Sequence, residues 1–147
     1  MTNNEEKDAL AARLSDQLGY EIVNEDAERS DAFPSYKARV RTPAGTLGIT
    51  HQPGDKRFGR PMMASYGHLQ GTYVQAEDGK AWDFYLGDEP DNEDLYEVLQ
   101  TTEAGMPDER KFISHCRDMD HAREVFVSHA GQNRFGYIQP KGWDFFG

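Results

Sequence analysis

One cysteine, Cys116, stands in a chain of 147 residues. It can form no internal disulfide and no cysteine-rich zinc site, so a reducing cytoplasm is the expected compartment. Long apolar runs are missing as well. None approaches the ~20 residues that cross a bilayer. Residues 1–6 do not open as the basic and then apolar stretch of a secretory leader, and no membrane partner is expected. Positive charge is scarce: 16 Lys and Arg against 26 Asp and Glu leave a formal net charge of −10. Such a surface repels nucleic-acid phosphates and anionic lipid, and no long basic block offsets it. No nucleic-acid partner is expected. An acidic chain that handles phosphate must gather its few cations locally or use metal ions.

What is present is enough for one globular core. The stretch that organises the rest runs from Tyr66 to Gly87. Asp78-Gly79 signals a tight hairpin turn. Asp83 then interrupts residues 81–86, a run that otherwise reads as a half-buried strand. A carboxylate there needs an ion partner or a metal, because a buried unpaired charge is costly. One Asp in the turn and one on the returning strand can point into the same space, which suits a hard divalent cation.

Around that stretch the pattern alternates between periods. Residues 4–18 read as a helix, with Leu10, Leu14 and Leu18 at four-residue spacing and Gly19 as its stop. Asn3 or Asn4 can cap it, and Glu5 and Glu6 suit its positive end. Residues 21–33 form an acidic connection, with a short strand at 20–23. Residues 36–41 switch to period two, with Lys37, Arg39 and Arg41 on one face. Residues 47–51 make a second strand. Residues 52–61 form a Gly- and Pro-rich loop carrying Lys56, Arg57 and Arg60. Strands are expected at 95–100 and 108–113, separated by a turn at 103–107. A helix capped by Asp118 or Asp120 presents Met119, Ala122, Val125, Phe126 and His129 on one face. The acidic loop 88–94 lacks the spacing of a calcium-binding loop and reads as solvated. The aromatic tail, with Trp143, Phe145 and Phe146, either closes the core or forms an exposed docking tip. His115-Cys116 makes no nucleophile and base pair, since neighbours on a strand point to opposite faces.

These motifs, in this order, resemble the soluble inorganic pyrophosphatases. The resemblance rests on Tyr66-Gly67, Thr72, Asp78-Gly79, Asp83, the Glu103-Ala104-Gly105 turn, Asp108 and Lys111. It is closest to a pyrophosphatase-like branch found in phage and mobile-element proteins, through Pro43-Ala44-Gly45, the segment 66–72, the segment 108–111 and Ala122-Arg123. It covers residues 38–130. It implies an α+β fold: a small antiparallel β-barrel or strongly curved sheet flanked by two helices. Residues 33–147 would form that domain, and residues 1–32 an N-terminal helix with its acidic connection.

The resemblance also implies a site. Asp78, Asp83 and Asp108 would hold Mg²⁺ (or Mn²⁺), with Asp78 and Asp83 as the catalytic carboxylates. Tyr66 and Lys111 would touch phosphate, with Arg57 and Arg60 as nearby cations. The implied substrate is pyrophosphate or a similar phosphate anion. Phosphoryl transfer asks mainly for positioning and charge neutralisation, which such a set supplies. One position departs: Lys80 stands where the family has the second Asp of its Asp-Gly-Asp. Two readings follow, a metal-dependent phosphoanhydride hydrolase and a catalytically retired member. The latter would dock a protein partner through its N-terminal helix or aromatic tail.

Overall fold

The computed structural model describes residues 9–23, 36–57, 59–70 and 81–146. The expected caps at Asn3 and Asn4, most of the acidic connection, Thr72, Asp78-Gly79 and Lys80 lie outside the described residues.

Nine strands are present among them: β1 (Ala38–Thr42), β2 (Gly45–His51), β3 (Lys56–Arg57), β4 (Arg60–Pro61), β5 (Ser65–Leu69), β6 (Trp82–Leu86), β7 (Leu95–Thr101), β8 (Pro107–Ser114) and β9 (Phe135–Lys141). Seven of them form one mixed sheet in the order β1-β2-β5-β6-β8-β7-β9. Among the described residues the sheet ends at β9 and at β1, whose outer side pairs with residues 21–23 through an Ile22–Val40 bridge, so the fold is the α+β curved-sheet alternative and not a closed barrel. Closure would require those edges to pair, and their nearest strand neighbours are β2 and β7. The pairings are antiparallel except β6 with β8. That parallel pair arises because the β7–β8 hairpin enters the sheet with its second strand innermost. The loop 52–61 is more regular than expected, because β3 and β4 pair as a small ribbon.

Strand alternation divides the core into two layers. Trp82, Phe84, Phe112, Leu47, Ile49 and Val40 point to one face. This face is covered by α1, whose residues 9–12 are α-helical and run into the π-helical turn Arg13–Gln17. Leu10 and Leu14 are buried in it, as their four-residue spacing requires. Gly19 closes the helix at φ 83°, a left-handed conformation suited to glycine. The aromatic tail packs on the same face. Phe146 is buried, Trp143 and Phe145 pack against the cluster, and the Trp143 indole N–H donates to the Glu93 carbonyl at 2.8 Å. Of the two readings of the tail, this arrangement matches closure of the core, with Phe146 inside it and Trp143 and Phe145 half-buried against it.

The opposite face carries Tyr66, Tyr85, Tyr96, Val98 and Ile113, packed under α2 (Met119–Ala130). Asp118 caps α2 by accepting from the His121 N–H at 2.8 Å. Ala122, Val125, Phe126 and His129 face inward, whereas Met119 is 38% exposed and not part of the buried stripe. His115 and Cys116 lie beyond the end of β8 and are both buried. Burial pushes the Cys116 thiol up to about 12, which keeps it protonated at neutral pH.

Candidate functional site

The site begins with Asp83. It faces His68 directly across the β5–β6 ladder, and the His68 Nε2 is 3.4 Å from its Oδ1. On its other side, β8 runs parallel to β6 and brings the Lys111 ammonium to 3.0 Å from Oδ2. Burial alone would raise the Asp83 pKa, but His68 and Lys111 outweigh it and hold the carboxyl well below the usual carboxylate range. The partner that a strand-borne carboxylate demands is therefore a lysine. Lys111 is itself buried. Burial favours its neutral amine, yet the surrounding negative charge keeps its pKa above the ordinary value.

Lys111 holds a second carboxylate, Glu109, at 3.1 Å. Glu109 and Lys111 are two apart on β8 and so share a face. Asp108 is placed differently. The ladder pairs Gln100 with Glu109 and Thr101 with Pro107, which leaves Asp108 as the extra residue of a bulge. Its Oδ2 accepts from Gln100 at 3.1 Å and from Arg134 at 3.3 Å. Asp108 thus pairs with Arg134, while Asp83 and Glu109 share Lys111.

Tyr66 forms the floor of the site. The Arg57 guanidinium lies 4.4 Å from its ring centroid and the Lys111 ammonium 5.5 Å from it, so two cations sit on one aromatic ring. The Tyr66 hydroxyl is buried and meets no hydrogen-bond geometry among the described residues. Burial, followed by the Asp83 charge, raises its pKa and keeps it a neutral phenol. Gly67 explains how Tyr66 comes so close to β2. A Cβ there would lie 1.7 Å from the Gly48 carbonyl oxygen, so only glycine permits this strand approach.

Arg57 and Arg60 reach the site on the β3–β4 ribbon. A turn closed by the Asp55 N–H to the Gln52 carbonyl at 3.0 Å starts it, and Lys37 holds the Asp55 carboxylate at 2.7 Å. Buried Met62 anchors its far end under α2. The result is a cleft of about 480 Å³ lined by Arg57, Arg60, Arg134 and Lys111, with Glu109, Gln100, His129 and Ala130. Among the described residues four cations and one acid line this cleft in a chain of net charge −10, a local gathering of positive charge of the kind phosphate handling requires. Arginine forks match phosphate oxygens two at a time.

A family model described as inorganic pyrophosphatase matches residues 28–142. The chain belongs to the inorganic pyrophosphatase family. No curated protein and no solved structure matches it. Of the family-implied residues, the fold brings together Asp83, Lys111, Tyr66, Arg57 and Arg60. It puts Asp108 with Arg134, and Asp78 is outside the described residues. Sequence reading gave no site role to Glu109, His68, Tyr85, Arg134 or His129, the last placed only on the inward face of its helix. Strand period was the available signal for Glu109, through its two-residue offset from Lys111. Among the described residues no three His, Cys, Asp or Glu side chains gather as a metal-holding group. No helix among them is long and apolar enough to cross a membrane.

Proposed function

We propose that the chain binds pyrophosphate or a related phosphoanhydride in this cleft and hydrolyses it with Mg²⁺ or Mn²⁺, acting in the cytoplasm. The observation that carries the proposal is Lys111, a buried ammonium shared by Asp83 and Glu109 at the wall of a cleft that also holds Arg57, Arg60 and Arg134. Mg²⁺ is usually held by one or two carboxylates, with substrate phosphate completing its shell. Asp83 and Glu109 are both oxygen donors within 3.1 Å of the Lys111 ammonium, and would meet that demand once Lys111 turns from them to the phosphate; the family resemblance would add Asp78, which lies outside the described residues. When bound, such an ion neutralises phosphate charge and acidifies a coordinated water.

The remaining work falls to the chain's own residues. Lys111, Arg57 and Arg60 hold the phosphate oxygens and offset their charge. Tyr66 excludes water beneath them and holds the Arg57 and Lys111 cations on its ring. His68 keeps Asp83 ionised. The test is phosphate release from pyrophosphate with Mg²⁺ or Mn²⁺. Turnover that Asp83→Asn abolishes supports the enzyme; no turnover across the full range of either metal sinks it.

Lys80 favours a second reading, a catalytically retired member of the phage or mobile-element branch. A protonated lysine is no metal ligand, and its charge opposes a nearby dication. In that case the cleft binds phosphate anions without turning them over, which the same assay combined with phosphate-binding calorimetry distinguishes.

A further inference from the structure

The geometry points to a positioning role for His129: as a neutral hydrogen-bond acceptor, it fixes the Arg57 guanidinium at the wall of the anion cleft without cancelling its charge. The inference rests on the reading of that cleft as a phosphate site. His129 lies in the last turn of α2, is buried, and lines the cleft beside Arg57. Its Nε2 is 3.2 Å from Arg57 Nη1, and its Nδ1 meets the Tyr85 hydroxyl. Arginine only donates, so Nε2 must accept. A neutral imidazole then carries its proton on Nδ1 and donates it to the Tyr85 oxygen. The whole chain of contacts follows from one tautomer: Arg57 selects it, and the Tyr85 hydroxyl, which can donate or accept, accommodates it from the floor of the sheet.

A protonated ring would aim an Nε2–H at the Arg57 N–H. The surroundings oppose that state from several elements. Arg57 and Arg60 face His129 from the ribbon, Lys111 from β8 and His51 from β2, with Tyr66 and Tyr85 as neutral neighbours from β5 and β6. Burial, and then these cations, push His129 down to about 4. The Tyr66 ring and the His129 imidazole both contact Arg57 and are both neutral, so these two contacts orient the fork and add no opposing charge of their own.

Two measurements test this. Nitrogen-resolved NMR of the imidazole should show His129 neutral at pH 7 with its proton on Nδ1. A proton on Nε2, or a charged ring, overturns the inference without any variant. The second is a double-mutant cycle read by calorimetry with inorganic phosphate. His129→Phe should weaken phosphate binding about tenfold when Arg57 is present and less than about twofold in an Arg57→Ala background. His129→Gln, which keeps an acceptor oxygen, should stay within about threefold of the parent, and it decides the matter if His129→Phe does not fold. Equal weakening in both backgrounds overturns the role of His129 alone. A parent protein that binds no phosphate overturns the cleft reading and this inference with it.

Discussion

The Lys111 ammonium lies 3.0 Å from Asp83 Oδ2, with the lysine side chain only 4% exposed and the aspartate 23%. The two partners are therefore unequal. Asp83→Asn leaves a buried ammonium with Glu109 as its remaining carboxylate, and should cost about 3 kcal/mol, the lower end for breaking a buried pair. Lys111→Met leaves two carboxylates, Asp83 and Glu109, but both reach water and Asp83 still faces His68, so it should cost about half as much, ~1–2 kcal/mol. Urea denaturation at pH 7 checks the order. Equal losses, or a larger loss for Lys111→Met, would contradict it.

Glu109 and Asp108 are neighbours in sequence and separate in role. Glu109 shares Lys111 with Asp83, so Glu109→Gln should lower metal-dependent phosphate release by about a hundredfold, a scale typical of removing one charge-stabilising group. Asp108 pairs with Arg134 at 3.3 Å where both side chains are about a third exposed or more, 40% and 32%. Asp108→Asn should leave turnover within about threefold and cost less than ~1 kcal/mol, as half-exposed ion pairs do. Steady-state kinetics on both variants decides. A collapse of turnover in Asp108→Asn alone would return the metal role to that residue.

Asp83 shows what the sequence could reveal about this site. Its place in an apolar strand announced that it needed a partner, but the partner is 28 residues away on β8. Which strand lies beside β6 is a non-local fact, and the parallel β6–β8 contact has no local signal. Asp108 drew attention through motif spacing, because a bulge that shifts one residue out of register leaves no mark in composition. Helical spacing put His129 on the inward stripe of α2. It could not tell core from cleft, because the difference is made by the β3–β4 ribbon, whose two-residue strands are too short to show a period. Leu10 and Leu14 were legible from spacing alone. Spacing left the choice between a closed barrel and an open curved sheet undecided, since closure depends on whether β1 meets β9.

Gly67 should tolerate no side chain. A Cβ at 1.7 Å from the Gly48 carbonyl oxygen overlaps backbone, which cannot rotate away as a side-chain tip can. Gly67→Ala must push β5 from β2, at a cost of about 3 kcal/mol or more. The shift carries Tyr66 with it, so phosphate affinity should fall along with the thermal midpoint. Gly105 sits in a turn at φ 85° with nothing within 4 Å of its Cβ position. Gly105→Asn, a residue that tolerates this conformation, should leave the midpoint nearly unchanged. Thermal unfolding of the two variants separates the overlap from any general sensitivity to losing glycine.

Stability should fall as pH drops from 7 toward 5, and buried histidines set the sign. Burial lowers His115 to about 4, and burial with Arg57 and Lys111 lowers His129 to about 4; His51 is lowered in the same direction, again chiefly by burial. A histidine with a folded pKa below its unfolded value of ~6.5 binds fewer protons folded than unfolded at intermediate pH. Its contribution is therefore fully present above about 6.5 and lost as pH falls toward the folded value. The lowered carboxylates Asp55, Asp83 and Glu97 act in the same direction, but mainly below the unfolded carboxylate range near ~4. The interval from pH 7 to 5 consequently isolates the histidines. The urea midpoint should decline across it in the parent, and His129→Gln should remove part of the slope while His115 and His51 keep the rest. A parent midpoint that is flat from pH 7 to 5, or a His129→Gln slope equal to the parent's, would contradict a neutral, buried His129.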